Sequence, residues 1–232
     1  MSRISIFGIA GLPEIEPGDD LAAMIVRAIA GEDLALADND ILVVTHKIVS
    51  KQEGRIVEIP TEEAYRAVIA DESVRIVRRR GDLVIAQTRH GFICANAAVD
   101  RSNVAAGYAL LLPIDPDRSA HRLRMLITRA TGMNIGVVIT DTFGRPWRRG
   151  LVDVAIGVSG VTAIVDLKGT TDTHGNELNV TEVNVVDEIA AAADLVMGKA
   201  TGIPVAIVRG LTLSGDGRAR DIVRPANEDL FR

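Results

Sequence analysis

One stretch decides the fold class of this chain: Gly136-Val-Val-Ile-Thr-Asp-Thr-Phe-Gly-Arg-Pro-Trp-Arg-Arg-Gly150. Residues 135–140 are apolar and rich in β-branched side chains, which predicts a fully buried strand. Ligands bind at the carboxyl ends of strands in open α/β sheets, so Asp141 and Thr142 lie where a ligand is expected. A carboxylate beside a hydroxyl suits a hard divalent cation. A turn or a helix cap would explain the two residues equally well.

Three arginines follow this strand closely. Arg145, Arg148 and Arg149 lie within eight residues of Asp141. Guanidinium groups bind anionic oxygens well, so these side chains could hold a phosphate or a carboxylate. The alternative is that they are solvated surface side chains.

Outside this stretch, short apolar runs alternate with amphipathic segments. This pattern predicts an α/β fold, with a mixed α+β fold as the alternative, and it leaves the strand order open. We interpret residues 1–232 as one unit that could divide into two lobes. The predicted helices cover residues 19–30, 61–70, 117–130 and 183–199. The predicted strands cover residues 3–9, 41–45, 83–87, 92–95, 108–112, 135–140, 154–158, 162–166 and 205–208.

The composition is that of a globular protein, with 47% hydrophobic residues, 25% charged residues and a net charge of −5. This disfavours intrinsic disorder, and the acidic balance disfavours a general binder of nucleic acid or of a membrane surface. Cys94 is the single cysteine, which excludes an intrachain disulfide and favours a reducing compartment. No apolar run approaches the roughly 20 residues of a membrane helix. We therefore expect a cytoplasmic protein.

Two further segments carry candidate ligands. Asp100 follows a predicted strand and several small residues, with Asn103 close by as both donor and acceptor. Asp100 could share a metal with Asp141, or it could cap the segment that follows it. Residues 43–54 run from a buried strand to Lys47 and Lys51, which could neutralise a polyphosphate. A strand exit with surface lysines is the simpler alternative, because the pattern of a glycine-rich phosphate loop is absent.

Seven segments follow one another in a specific order. They are Gly11-Leu-Pro-Glu-Ile-Glu-Pro-Gly-Asp-Asp20, Ile48-Val-Ser-Lys-Gln-Glu-Gly-Arg55, Val99-Asp-Arg-Ser-Asn103, Ile139-Thr-Asp-Thr-Phe-Gly-Arg145, Arg148-Arg-Gly150, Asp187-Glu-Ile-Ala-Ala191 and Val208-Arg-Gly-Leu211. In this order the chain resembles the coenzyme F-420-0:gamma-glutamyl ligases. No single motif is decisive, but the ordered set is specific and spans nearly the whole chain.

This resemblance implies a two-lobed α/β ligase that forms a homodimer and adds L-glutamate to coenzyme F-420-0, extending a gamma-linked tail. It implies GTP as co-substrate, Mg²⁺ or Mn²⁺ as the metal and K⁺ as an activator. The expected route transfers the γ-phosphoryl group of GTP to the lactyl carboxylate, and the glutamate amine then attacks the acyl phosphate. The alternatives are a metal-dependent phosphohydrolase and a non-catalytic nucleotide-binding module. The matching motifs end at Leu211, so no C-terminal flavin-binding domain is expected.

The resemblance also implies roles for single residues. Asp100 and Asp141 would bind one metal and Thr142 a second, while Asp141, Arg145 and Arg149 would be catalytic. At Lys199 the chain departs from archaeal members, which place an acidic metal ligand there. A charged lysine cannot bind a metal, so the second metal stays open and Lys199 could contact phosphate directly. The implied nucleotide contacts are Leu12, Pro13, Glu14, Ile15, His46, Lys47, Lys51, Asn103, Met197, Gly198 and Lys199.

Overall fold

A computed structural model describes residues 3–229 of the chain. Its helices are α1 (Leu21–Gly31), α2 (His46–Gln52), α3 (Glu62–Glu72), α4 (Pro116–Thr131) and α5 (Val185–Met197). Its strands are β1 (Ser5–Ile9), β2 (Ile41–Thr45), β3 (Ile56–Glu58), β4 (Ser73–Arg80), β5 (Leu83–Thr88), β6 (Ile93–Ala95), β7 (Tyr108–Leu110), β8 (Gly136–Arg145), β9 (Arg148–Ser159), β10 (Ile164–Asp166), β11 (Glu182–Asn184) and β12 (Val205–Arg209). Within residues 3–229, no helix combines the length and the apolar character needed to cross a membrane.

Side-chain caps explain where the four predicted helices begin. Asp20 accepts a hydrogen bond from the Ala23 N–H, which satisfies one of the free donors of the first turn of α1. Thr61, Asp115 and Asn184 cap α3, α4 and α5 in the same way. Gly132 ends α4 in the left-handed region, with φ 75°. The four helix predictions are confirmed, although α1 and α5 each begin two residues after the predicted start.

The main sheet has five strands in the order β1-β12-β2-β8-β9. β2 and β8 run parallel, and the other neighbouring strands run antiparallel. Consecutive residues are buried in the three central strands (residues 41–44, 136–140 and 205–208), so both faces of the sheet are covered. Helices α4 and α5 both pack against β9, and α1 packs against α4.

A second, smaller hydrophobic core lies apart from the main one. Ile69 of α3, Val84 and Ala86 of β5 and Ala109 of β7 belong to it. Strands β4, β5 and β6 form one sheet in this region, and β3 pairs with β7. The α/β fold class is confirmed, and the division of residues 1–232 into two lobes stays a prediction.

The structure corrects the sequence interpretation in several places, and the short strands β3 and β11 are also missing from the predicted elements. Strand β8 does not end at Thr140 but continues to Arg145 and turns into β9, so Asp141 and Thr142 lie inside a strand. The sequence does not predict α2, because seven residues are too few for a clear helical period. It does not predict β4 either, because nearly all of that strand is exposed and therefore lacks an apolar pattern.

Candidate functional site

Most of the predicted site residues come together at one edge of the main sheet. The register places Thr45, which ends β2, beside Thr140 of β8. It also places Val205, which begins β12, beside Ile9, which ends β1. Because β12 lies between β1 and β2, these strand ends share an edge. We call this edge the site edge. It is formed by residues 10–16 after β1, residues 46–52 after β2, residues 141–142 within β8 and residues 197–204 before β12.

His46 and Asp141 form the buried centre of the site edge. The His46 ring is fully buried, with Nδ1 3.2 Å from Ser50 Oγ and Nε2 3.3 Å from Asp141 Oδ1. The Thr142 N–H donates to the same Asp141 oxygen at 2.7 Å. No group in residues 3–229 donates a hydrogen bond to Asp141 Oδ2, so this oxygen can bind a ligand. Since the His46 ring is fully buried beside Asp141, its predicted nucleotide contact could come only from its backbone.

The next residue, Lys47, holds the second predicted metal ligand. Its ammonium group forms an ion pair with Asp100 and also contacts Ser102 Oγ. The N–H of Ser102 donates to Asp100 Oδ1 at 2.7 Å. Burial raises the pKa of Asp100, but the hydrogen bonds from Lys47 and Ser102 and the lysine charge outweigh it, so the pKa is lowered. Asp141 and Asp100 are thus bound by consecutive residues at the start of α2.

Lys51 brings the loop after β1 to the same helix. Its side chain is only 9% exposed and forms an ion pair with Glu14, whose side chain is 77% exposed. Ile15 is buried and Leu12 packs against the main core, which anchors the loop. Residues 12–15 and α2 are therefore adjacent, as the nucleotide-contact prediction requires. A buried lysine whose acidic partner is exposed can exchange that partner for a phosphate.

Thr142 lies on the other side of strand β8. The register pairs it with Asp153 of β9, and its hydroxyl donates to Asp153 Oδ1 at 2.6 Å. The Lys199 ammonium lies 2.6 Å from that same Asp153 oxygen, 2.7 Å from Thr142 Oγ1 and 2.8 Å from Asp194 Oδ1. Burial lowers the pKa of Lys199, but its hydrogen bonds to the two carboxylates and their charges outweigh burial and raise it. A positively charged lysine therefore fills this position.

Four predicted residues lie away from the centre or face another way. Arg145 and Arg149 are exposed at the outer end of the β8–β9 hairpin. Arg145 is four residues beyond Asp141, which is about 13 Å along a strand. Their catalytic role therefore stays a prediction. Met197 is 3% exposed and belongs to the main core, so its side chain is not available to a ligand. Asn103 is exposed three residues after Asp100, in the left-handed region at φ 56°.

Two residues of the site were not found by sequence reasoning. Asp153 is 4% exposed and accepts hydrogen bonds from both Thr140 and Thr142. Asp194 lies in the last turn of α5. The sequence carries no motif for either, since one precedes an apolar run and the other follows a run of alanines. Only the pairing of β8 with β9 and the packing of α5 on β9 bring them to Thr142.

The first predicted metal site is chemically suitable for a divalent cation. Asp100 and Asp141 offer carboxylate oxygens, and Mg²⁺ is commonly bound by one or two carboxylates together with substrate phosphates. In the described part of the chain, no three or more His, Cys, Asp and Glu side chains form a group that could hold a metal. A metal at Asp100 and Asp141 would thus take its other ligands from a substrate or from water. The second predicted site, at Thr142, does not fit, because an ammonium group lies there.

Comparison with known proteins identifies relatives over the whole chain. The sequence model of the F420-0:gamma-glutamyl ligase family matches residues 10–210. A protein of Methanothermobacter thermautotrophicus named coenzyme F420:L-glutamate ligase is 43% identical, and the alignment covers 99% of both chains. Proteins of the same name are 43% identical in Methanocaldococcus jannaschii, over 85% of this chain and 86% of that one, and 42% identical in Archaeoglobus fulgidus, over 99% and 97%.

Proposed function

The chain belongs to the F420-0:gamma-glutamyl ligase family, and from this premise we propose that it joins the amine of L-glutamate to coenzyme F420-0 in the cytoplasm. GTP is the proposed energy source, and later additions extend a gamma-linked tail. K⁺ activation and a homodimer complete the proposal by resemblance. The ligase activity itself rests on the family and on the names of the relatives.

One observation carries the proposal to particular residues. Asp141 and Asp100 contact His46 and Lys47, which are consecutive at the start of α2, and Lys51 of the same helix holds the loop 12–15. Three sequence-distant segments thus bring three carboxylates, those of Glu14, Asp100 and Asp141, to one short helix that itself carries two lysines. Carboxylates for a metal and cations for phosphates are the groups that phosphoryl transfer needs.

The proposed reaction has two steps. The γ-phosphoryl group of GTP passes to a carboxylate oxygen of F420-0, its bond to the β-phosphate breaks, and GDP leaves. The glutamate amine then attacks the acyl carbon and loses a proton, and phosphate leaves as the amide forms. Each step needs reactants in fixed positions and compensation of negative charge rather than a covalent enzyme intermediate.

The residues of the site edge divide this work. Lys51 offsets phosphate charge once Glu14 releases it, and Lys47 keeps Asp100 ionised and oriented. The buried His46 ring lies against Asp141 Oδ1, which leaves Oδ2 for the proposed metal. Mg²⁺ or Mn²⁺ held by Asp100 and Asp141 would supply Lewis-acid stabilisation of charge on the phosphate oxygens.

A single assay tests this proposal. The purified protein is incubated with F420-0, GTP, Mn²⁺, K⁺ and isotopically labelled L-glutamate, and the products are analysed by mass spectrometry. We expect F420 species heavier by one or more labelled glutamyl residues, with GDP and phosphate formed in proportion. A parallel reaction with ATP tests the choice of nucleotide.

The other outcomes separate the rival functions. Phosphate release that continues without glutamate would indicate a phosphohydrolase. GTP binding without turnover, under varied metal and K⁺, would indicate a nucleotide-binding module. Either result would overturn the ligase proposal.

A further inference from the structure

The ammonium of Lys199 lies in a cage of oxygens on the Thr142 side of β8. Its three neighbours are Asp153 Oδ1 at 2.6 Å, Thr142 Oγ1 at 2.7 Å and Asp194 Oδ1 at 2.8 Å. We call this set the ammonium cage. Two carboxylates and a hydroxyl are the hard oxygen donors that divalent cations also prefer. The cage therefore resembles a cation-binding site in its ligands, but the cation in it is the ammonium group of Lys199.

The cage needs a cation for a physical reason. Asp153 is 4% exposed, and a buried carboxylate without compensation is strongly unfavourable. The hydroxyls of Thr140 and Thr142 donate to it at 3.3 and 2.6 Å, but they carry no charge. Within residues 3–229, Lys199 is the only cationic side chain that contacts Asp153.

The end of helix α5 places the lysine there. Gly198 ends the helix at φ 57° and ψ −178°, a conformation that side-chain-bearing residues rarely adopt. A Cβ at this position would lie 2.8 Å from Thr201 Cγ2, so the turn also needs the space that glycine leaves. The lysine then stands at the negative end of the α5 dipole, which favours a cation.

We propose that Lys199 is the resident cation of this cage, replacing the second divalent metal that the family resemblance implies at Thr142. The ammonium already contacts the Thr142 hydroxyl and the oxygens of the two neighbouring carboxylates, and its positive charge repels a further cation. The chain then takes up divalent metal at Asp100 and Asp141 alone. This inference refines the proposed function, but its test needs no catalysis.

The test counts bound Mn²⁺ per chain by electron paramagnetic resonance of the free ion, without nucleotide. We expect Lys199→Ala to bind one Mn²⁺ more than the wild type, because the emptied cage retains two carboxylates and a hydroxyl. Asp153→Asn in the Lys199→Ala background should abolish that extra ion. Lys168→Ala, which removes an exposed lysine paired with Glu182, is the matched control and should bind as the wild type does.

Thermal unfolding verifies that the variants are folded and that the extra Mn²⁺ binds to the folded state. Mn²⁺ should raise the melting temperature of Lys199→Ala more than that of the wild type, because an ion that binds only the folded state stabilises it. Equal Mn²⁺ counts for folded Lys199→Ala and wild type would overturn the proposal. So would a loss of one Mn²⁺ when Asp153→Asn alone is introduced into the wild type. Failure of the ligase assay would leave these counts unchanged, so the two proposals fail separately.

Discussion

The two sides of strand β8 carry the same kind of groups in different states. On one side Asp141 contacts a buried imidazole and leaves one carboxylate oxygen for a ligand. On the other side Asp153 and Asp194 are already bound by Lys199. Side chains alternate between the faces of a strand, so adjacent residues such as Asp141 and Thr142 belong to different environments. This difference is the basis of our proposal that the Asp141 side receives a cation from solution, whereas the Lys199 side already holds one that belongs to the chain.

The largest expected effect comes from the Asp141 side. Asp141→Asn should lower ligase turnover by at least about 100-fold, because it removes a negative charge from the proposed metal site while keeping nearly the same shape. The measurement is kcat, with thermal unfolding to verify the fold. Asp71→Asn, at an exposed position of α3, is the control and should retain wild-type turnover. Near-normal turnover of the Asp141 variant would contradict the proposal that the Asp141 side of β8 binds the catalytic metal.

The next effect concerns stability on the Lys199 side. Lys199→Met should lower the free energy of unfolding by about 1–2 kcal/mol, because Asp153 loses its cation; solvent screening of the half-exposed lysine keeps the loss moderate. The pKa of Lys199 is raised above its ordinary 10.5, burial being outweighed by the two carboxylates. The contribution is therefore complete below pH 10.5 and is lost as pH rises through the folded-state pKa. Urea unfolding at several pH values tests this, and a difference that disappears near neutral pH would contradict it.

The lysine on the Asp141 side should show the opposite pH dependence. Lys47→Met should lower the free energy of unfolding by about 1 kcal/mol, since the ion pair of Lys47 with Asp100 is only partly buried. The pKa of Asp100 is lowered from its ordinary 3.8, because bonds from Lys47 and Ser102 outweigh burial. The contribution is present above pH 3.8 and is lost as pH falls through the folded-state pKa. Urea unfolding in acid is the measurement, and a stability loss independent of pH would show that the ion pair is not its cause.

The smallest expected effect is on the reactivity of Cys94, which senses the charge of Asp141 but not that of Asp153. Burial raises the pKa of the Cys94 thiol to about 12, and the Asp141 charge adds to this, against a backbone hydrogen bond from Ala98. The native thiol should react slowly with a disulfide reagent, and Asp141→Asn should accelerate the reaction roughly two- to five-fold by lowering the pKa. Asp153→Asn lies on the other side of β8 and should leave the rate unchanged. Equal acceleration by both variants would indicate general loosening instead.

Local sequence signals account for much of the fold. Asp20, Thr61 and Asp115 each begin a helix at or near the predicted residue, because a cap acts on backbone donors two or three residues away. The buried strand at residues 41–45 is confirmed with its predicted bounds. The α2 helix and the outer half of the β8–β9 hairpin escape prediction, because neither has an apolar period of sufficient length.

Parts of the candidate site follow from the sequence in the same way. Asp100, Asp141, Lys47 and Lys51 are noticed because each follows a predicted strand, and the structure places them around α2. The ion-pair partner of each group cannot be predicted from the sequence. The partner of Lys47 is 53 residues away, and the partner of Lys51 is 37 residues away. The resemblance implies a nucleotide contact for His46, but the burial of its ring beside Asp141 depends on packing that no local pattern encodes.

The sequence by itself determined the fold class, the family and the presence of a lysine at position 199, because these depend on residue types and their order. Only the tertiary structure decided what that lysine does. Thr142, Asp153, Asp194 and Lys199 come from two strands, a helix and the loop after it, and they meet through strand register and helix packing. Lys199 and Asp153 are 46 residues apart in the sequence. Their ion pair therefore depends on which charged groups the folded chain brings together and buries.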